Sequence, residues 1–411
     1  MLNWFEKTPF AGLRPRFDEA GARGAVLAET AKARAALRVG IPRVLNMWST
    51  HQFWIGFLGA LGIDWRHIEF SSDTSEDQAR EFAKGRGTVD CCYPVKCISG
   101  HYGELLGLKK HRKIDVLLSP MIYSLPSYLG THVLASLACP RVMAAPENIK
   151  AGFLKEKDAF AENGIHYAAP LVSLGDRPLV PKQLFEGLKD AIPGLALEET
   201  RRAVDSGYAA LEAFNGTSRA KGRAILEWCA REEKPCLLVV ARPYHMDPGI
   251  GHEIEVDLQA YGYPVLWTQY LPTDADLLDW MFGPDIRAGH IQSPFDIADV
   301  WPSSYSANTN EILWAAKYAA RIPWVACVVR MSSYECGMDQ PTYSPVQRIV
   351  ECSGTLFFSF QDLDSTKPAG SVKIRVETIA HYLQKYAAAI VEKKKAASPA
   401  GCPLQIRART A

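Results

Sequence analysis

Apolar positions along this chain fall into two alternating patterns. Short runs rich in β-branched residues read as buried strands: "VGI" after Arg38, "DVLLSPMIY" (115–123), "PCLLVVARPYH" (235–245), "YPVLWTQYL" (263–271), "IPWVACVVRMSSY" (322–334) and "GTLFFSFQDLD" (354–364). Between them lie stretches with apolar residues at helical spacing. These include "STHQFWIGFLGALGI" (49–63), with Ser49 or Thr50 as N-cap and Gly62 near its end, "ISGHYGELLGLKKH" (98–111), "NEILWAAKYAAR" (310–321) and "SPVQRIVEC" (344–352). "CPRVMAAP" (139–146) reads as one more short strand, opened by Cys139. The alternation predicts an α/β protein with parallel, doubly wound sheets.

The pattern changes between about Pro181 and Glu232. "PKQLFEGLKDAI", "LEETRRAVDSGYAALEAFNG" and "SRAKGRAILEWCAREE" have long helical periods and little strand propensity. The expected organisation is therefore an N-terminal extension (1–37), a first α/β lobe (38–180), a helical connector (181–234), a second α/β lobe (235–395) and a flexible tail (396–411). The two lobes are read as Rossmann-like. In such sheets, ligands sit beyond the carboxyl ends of the strands.

A chain of 411 residues exceeds one typical core. Its 46 basic and 45 acidic residues create no field that would recruit nucleic acid or an anionic membrane. The N-terminus lacks the charged and apolar regions of a signal peptide, and no apolar run approaches the ~20 residues a membrane span needs. The expectation is a cytoplasmic protein. Ten cysteines in that reducing setting point to buried thiols or metal ligands rather than disulfides.

The ten divide by context. Cys229, Cys236 and Cys327 fall in a helix and apolar strands, Cys352 ends a helix and Cys402 lies in the tail; all five read as core filler or surface thiols. Cys91, Cys92, Cys97, Cys139 and Cys336 stand beside glycine, proline, tyrosine or lysine in predicted turns. Structural zinc would prefer closely spaced pairs, and there is no CxxC here. A catalytic thiol needs one cysteine, a base and a positive environment. An iron–sulfur cluster gathers thiolates from distant loops. Spacing alone leaves these chemistries and plain buried thiols open. Neither GxGxxG nor GxxxxGK[ST] occurs, so nucleotide-cofactor and P-loop roles have no support.

Six motifs in order, "VGIPRVLNMW", "CCYPVKCISGH", "ACPRVMAAPENIK", "VVARPYHMDPGIGHEI", "SSYECGMD" and "SVKIRVETI", resemble the acyl-CoA dehydratase activase-related family. This module is often fused to, or encoded beside, the ATPase activators of 2-hydroxyacyl-CoA dehydratases and benzoyl-CoA reductases. The resemblance implies anaerobic metabolism and ATP-driven, low-potential electron transfer. It implies a [4Fe–4S] cluster, or a larger iron–sulfur cluster of the double-cubane kind, held by Cys92, Cys139 and Cys336 between the lobes with one iron open. Cys91 or Cys97 would substitute for or supplement a ligand. It further implies a separate ATPase activator as partner, an acyl-CoA or other small-molecule substrate, and a homodimer. "TDADLLDWMFGPDIRAGHIQSPFDI" departs from the family pattern, which leaves the substrate pocket unassigned.

Other motif residues carry two readings each. In "ARPYHMDPGIGHEI", His245 is the candidate for proton delivery and Arg242 for holding an anionic group; alternatively Pro243, Asp247 and Pro248 shape a turn, with Asp247 capping the next helix. Lys96 and His101 would make the setting of Cys92 positive, or be an exposed lysine and a filler. Ser332, Ser333 and Tyr334 would hydrogen-bond cluster sulfurs, and Asn46 and Trp48 would line the same cleft, or Asn46 would form a turn. Two further functional readings stand beside the redox one: a non-catalytic scaffold with structural thiols that binds a partner, and thiol chemistry at Cys92 with Lys96 or His101.

Overall fold

The computed structural model describes residues 24–83, 86, 92–107, 113–334, 336–364 and 369–406. The first lobe comprises α1 (Gly24–Ala36), β1 (Val39–Ile41), α2 (Met47–Ala60), β2 (Ile68–Phe70), α3 (Glu76–Phe82), α4 (Tyr93–Leu106), β3 (Val116–Leu118), β4 (Met121–Ser124), α5 (Pro140–Leu154), α6 (Ala159–Glu162), β5 (His166–Ala168) and β6 (Leu171–Ser173). Its main sheet is parallel, in the order β2-β1-β3-β5, and β4 pairs with β6 in a separate parallel ribbon. Chain order reverses between β1 and β3, which makes the crevice beyond their carboxyl ends the natural ligand position.

Two helices follow, α7 (Val180–Leu188) and the 36-residue α8 (Leu197–Glu232). α8 lies along α2 at very short range because both carry glycine at the crossing. A Cβ on Gly56 would stand 2.7 Å from Ala210 Cβ, and one on Gly207 would stand 2.9 Å from the Phe53 ring. The second lobe holds β7 (Cys236–Val240), α9 (Pro248–Gly251), α10 (Ile254–Ala260), β8 (Val265–Trp267), α11 (Ala275–Arg287), α12 (Ala307–Arg321), β9 (Val325–Ser333), α13 (Tyr343–Cys352), β10 (Leu356–Leu363), α14 (Ala369–Ala397) and α15 (Pro403–Ile406). Its sheet is also parallel, in the order β10-β9-β7-β8, and reverses between β7 and β9. Every residue of β7 and β9 is buried, as expected of strands covered on both faces. The fold is thus α/β with parallel sheets. Among the described residues no helix is long and apolar enough to cross a membrane.

Three expectations change. "CPRVMAAP" is not a strand: Cys139 is the N-cap of α5 and Pro140 opens the helix, where its missing N–H costs nothing. "DVLLSPMIY" is two strands in different sheets, divided at Pro120. The tail expected from 396 is docked as far as Leu404, which is 1% exposed, and Trp280 Nε1 donates to Pro399 O at 3.0 Å. Burial of this one leucine stabilises the segment by roughly 2 kcal/mol. At the other end, Arg34 of α1 is buried and bonds both carboxylate oxygens of Glu199 on α8, one at 2.9 Å.

Candidate functional site

The carboxyl edges of the two sheets face each other, and their loops interlock. Asp247, the N-cap of α9, accepts from Gly249 N at 3.0 Å within its own lobe. Across the lobes it accepts from Thr74 N at 3.1 Å and from Thr74 Oγ1 at 2.7 Å. Because the Thr74 hydroxyl donates to Asp247, it accepts from His101 Nε2–H at 2.9 Å, and His101 Nδ1 then accepts from Ser71 Oγ at 2.8 Å. Burial holds His101 down to about 3, so this imidazole is neutral, and burial lifts the Asp247 carboxyl to about 6. Tyr93 Oη adds a bond to Gly249 O at 3.0 Å. On the other flank, Leu137 and Ser306 form a parallel bridge, and Ser127 Oγ donates to Glu311 at 2.9 Å.

The three cysteines emerge from three elements at this junction. Cys92 is the buried N-cap of α4 and Cys139 the half-buried N-cap of α5, neither with a side-chain capping bond. Each sulfur therefore hangs at the positive end of a helix, where a negative charge is favoured by about 0.3–1 kcal/mol. Cys336 follows β9 and is 9% exposed. Each lies within electrostatic range of the turn that follows β7. The Arg242 guanidinium lies within electrostatic range of the Cys336 and Cys139 thiols, and the Tyr244 hydroxyl within range of Cys336 and Cys92.

That turn is rigid. Arg242 follows β7 with its side chain fully buried. Nε and Nη2 donate to Asp339 Oδ1 at 3.1 and 2.9 Å, and Nη2 reaches Thr309 Oγ1 at 3.2 Å. Asp339 also accepts from Ser332 Oγ at 2.8 Å, while Arg330 donates to the backbone carbonyls of Asp339 and Thr342. Burial opposes charge on Asp339, but Arg242 and Arg330 hold its carboxyl below the usual range. The charge of Arg242, the candidate for holding an anionic group, is paired with Asp339, a contact that also braces the loop carrying Cys336. Burial and then Asp339 push the Cys336 thiol up, against the Arg242 guanidinium.

His245 donates from Nδ1 to Arg242 O at 3.2 Å, so Nε2 accepts from Ser333 Oγ, also at 3.2 Å. Burial lowers it to about 4, which leaves a neutral imidazole at physiological pH. Ser332 and Ser333 are thus engaged with Asp339 and His245, and Tyr334 is half exposed. Lys96 is exposed, and His101 is tied to Ser71 and Thr74 rather than to Cys92. Cys97 is buried inside α4 with its thiol pushed well up by burial. Cys91 lies outside the described residues.

Of the site's residues, Thr74, Tyr93 and Glu311 carry no sequence signal. Glu311 is buried in the second turn of α12, and burial lifts it to about 7. Among the described residues no three His, Cys, Asp or Glu side chains converge as one metal ion requires; a cubane spreads its ligands over separate corners. In the same apolar cluster as Cys92, the indole N–H of Trp48 is buried without a partner among the described residues. Three thiols, helix N-termini and a spare N–H donor suit a net-negative sulfur-rich centre better than zinc.

The family model described as "CoA enzyme activase uncharacterised domain (DUF2229)" matches residues 38–271. That span contains Cys92, Cys139 and the Arg242–His245 turn and stops before Cys336. No curated protein matches the chain.

Proposed function

The chain belongs to the CoA enzyme activase domain family, and from that premise we propose that it is an iron–sulfur redox component of the 2-hydroxyacyl-CoA dehydratase/activase-related type. Cys92, Cys139 and Cys336 would hold a [4Fe–4S] cluster between the lobes. The observation that supports this reading is that three thiols, from three elements far apart in sequence, each lie within electrostatic range of Arg242, Tyr244 or both. Such a cluster, when bound, supplies one-electron chemistry at low potential and an iron position open to an oxygen ligand.

This chain's residues have defined tasks in that scheme. The α4 and α5 N-termini offset negative charge at Cys92 and Cys139. The Arg242–Asp339 pair fixes the Cys336 loop, and the Trp48 indole offers an N–H to sulfur, a contact that raises reduction potential. The Thr74–Asp247 contact ties the loops of the two lobes together. His245 keeps its proton on Nδ1 toward Arg242 O and presents Nε2 as an acceptor to the Ser333 hydroxyl, so on that side the neutral imidazole would take up a proton rather than deliver one. With no P-loop on the chain, ATP coupling falls to a separate activator, and a dehydratase component and an acyl-CoA or similar substrate complete the scheme. A cytoplasmic homodimer is the assembly we assign to it.

The test is anaerobic reconstitution of wild type and of Cys92→Ser, Cys139→Ser, Cys336→Ser and Cys97→Ser, followed by electron paramagnetic resonance of the reduced proteins. Loss of the cluster signal in the first three, and its retention in Cys97→Ser, is the expected result. A signal that survives all three, or that wild type never shows, refutes the assignment. One observation favours the scaffold reading instead: burial keeps the Cys336 and Cys97 thiols protonated, as in structural cysteines.

A further inference from the structure

At the β1/β3 reversal the first lobe has a crevice of about 370 Å³ of empty space, part of it opening to solvent; a water-sized sphere can move over about 30 Å³ of it. That inner part suits two waters or the two oxygens of a carboxylate. Its walls are mostly apolar, including Pro42, Leu45, Ile122 and Val142, and Ser119 on its floor is engaged with Tyr102.

The exception is Asn46. It is the N-cap of the 14-residue α2, yet its side chain makes no capping bond. It is 4% exposed, lines the crevice, and its Nδ2 is buried without a partner among the described residues. An unmatched buried amide N–H is destabilising, and an acceptor on a ligand would relieve it. The preceding Leu45 adopts φ +50°, a conformation disfavoured for leucine, which sets the start of α2 against this space. Val142, in the first turn of α5, also lines the space, so the N-terminal turns of two helices border it.

We propose that this crevice binds the carboxylate of a small organic acid, with Asn46 Nδ2 as its hydrogen-bond donor. Two acceptor oxygens match an unpaired donor and the positive helix ends, and the apolar walls take a short hydrocarbon portion. The site uses none of the three cysteines, so its test in iron-free protein does not depend on the iron–sulfur reading.

The probe is sodium acetate, added to full-length, iron-free protein labelled with 5-fluorotryptophan. The ¹⁹F resonance of Trp48, two residues from Asn46, is assigned with Trp48→Phe. A saturable shift with acetate, absent with equal sodium chloride, is expected. Asn46→Asp keeps the side-chain size and opposes the anion, and Asn46→Leu removes the donor; each should weaken acetate binding roughly tenfold or more. Unchanged melting of Asn46→Asp separates this loss from misfolding. No saturable shift in wild type, an equal response to chloride, or full binding by a folded Asn46→Asp overturns the proposal.

Discussion

Replacing Arg242 by methionine tests how the Cys336 loop is held. In wild type the Asp339 carboxylate is fully buried and meets two guanidinium nitrogens, at 2.9 and 3.1 Å, and one hydroxyl, Ser332 Oγ, at 2.8 Å. Arg242→Met leaves that carboxylate in place with Ser332 and the more distant Arg330 charge. Breaking a buried pair on one side costs about 3–5 kcal/mol, because the surviving charge stays desolvated. For a lobe of this size that is a fall in melting temperature of roughly 6–20 °C. Scanning calorimetry reads it directly. Arg242→Met/Asp339→Leu removes both charges and should recover at least about 2 kcal/mol of the single-variant loss. The loop should also loosen, so Cys336 should alkylate faster in the single variant than in the double. Asp339 titrates below the usual carboxylate range in the fold. Its contribution is therefore present above the unfolded value and is lost as pH falls through the folded one; Arg242→Met should lack that acid-side loss. A cost under about 1 kcal/mol, or a double variant no better than the sum of the singles, would refute the account of this pair.

The remaining predictions probe the lobe junction. Gly249→Ala would place a Cβ 2.1 Å from the Thr74 backbone carbonyl oxygen; the lobes must part locally, and limited proteolysis should cut the junction faster, with about 1–3 kcal/mol lost in urea unfolding. Gly59→Ala, with nothing within 4 Å of the added methyl, should instead stabilise α2 by about 0.5–1 kcal/mol. His101 is neutral in the fold, lowered from 6.5 to about 3, so the unfolded chain takes a proton first. Stability is whole above pH 6.5 and falls as pH drops below it, by about 2 kcal/mol at pH 5 for this one group. His101→Gln should shrink the difference between urea midpoints at pH 7 and pH 5; an unchanged difference would contradict the neutral assignment.

The α/β class was legible because β7, β9 and β10 are β-branched or aromatic runs long enough to stand out between helical periods. Strands of three residues, β2, β5 and β6, gave no such run and passed unseen. "CPRVMAAP" misled because a Cys–Pro opening followed by one valine fits a strand start and a helix N1 proline equally well. That Cys92, Cys139 and Cys336 sit at element boundaries was readable from their neighbours. That each falls within range of the Arg242–Tyr244 turn was not, since it depends on how the two lobes pack together. The same holds for Thr74 and Glu311: a buried polar partner 173 or 184 residues away in sequence leaves no mark on local periodicity.

Iron and acid-labile sulfide, assayed in full-length protein purified and reconstituted without oxygen, test the central claim most directly. A shared inorganic core on three thiols predicts about four of each per chain for a [4Fe–4S] centre, falling to background in Cys92→Ser. Protein that folds normally yet binds neither element would contradict it.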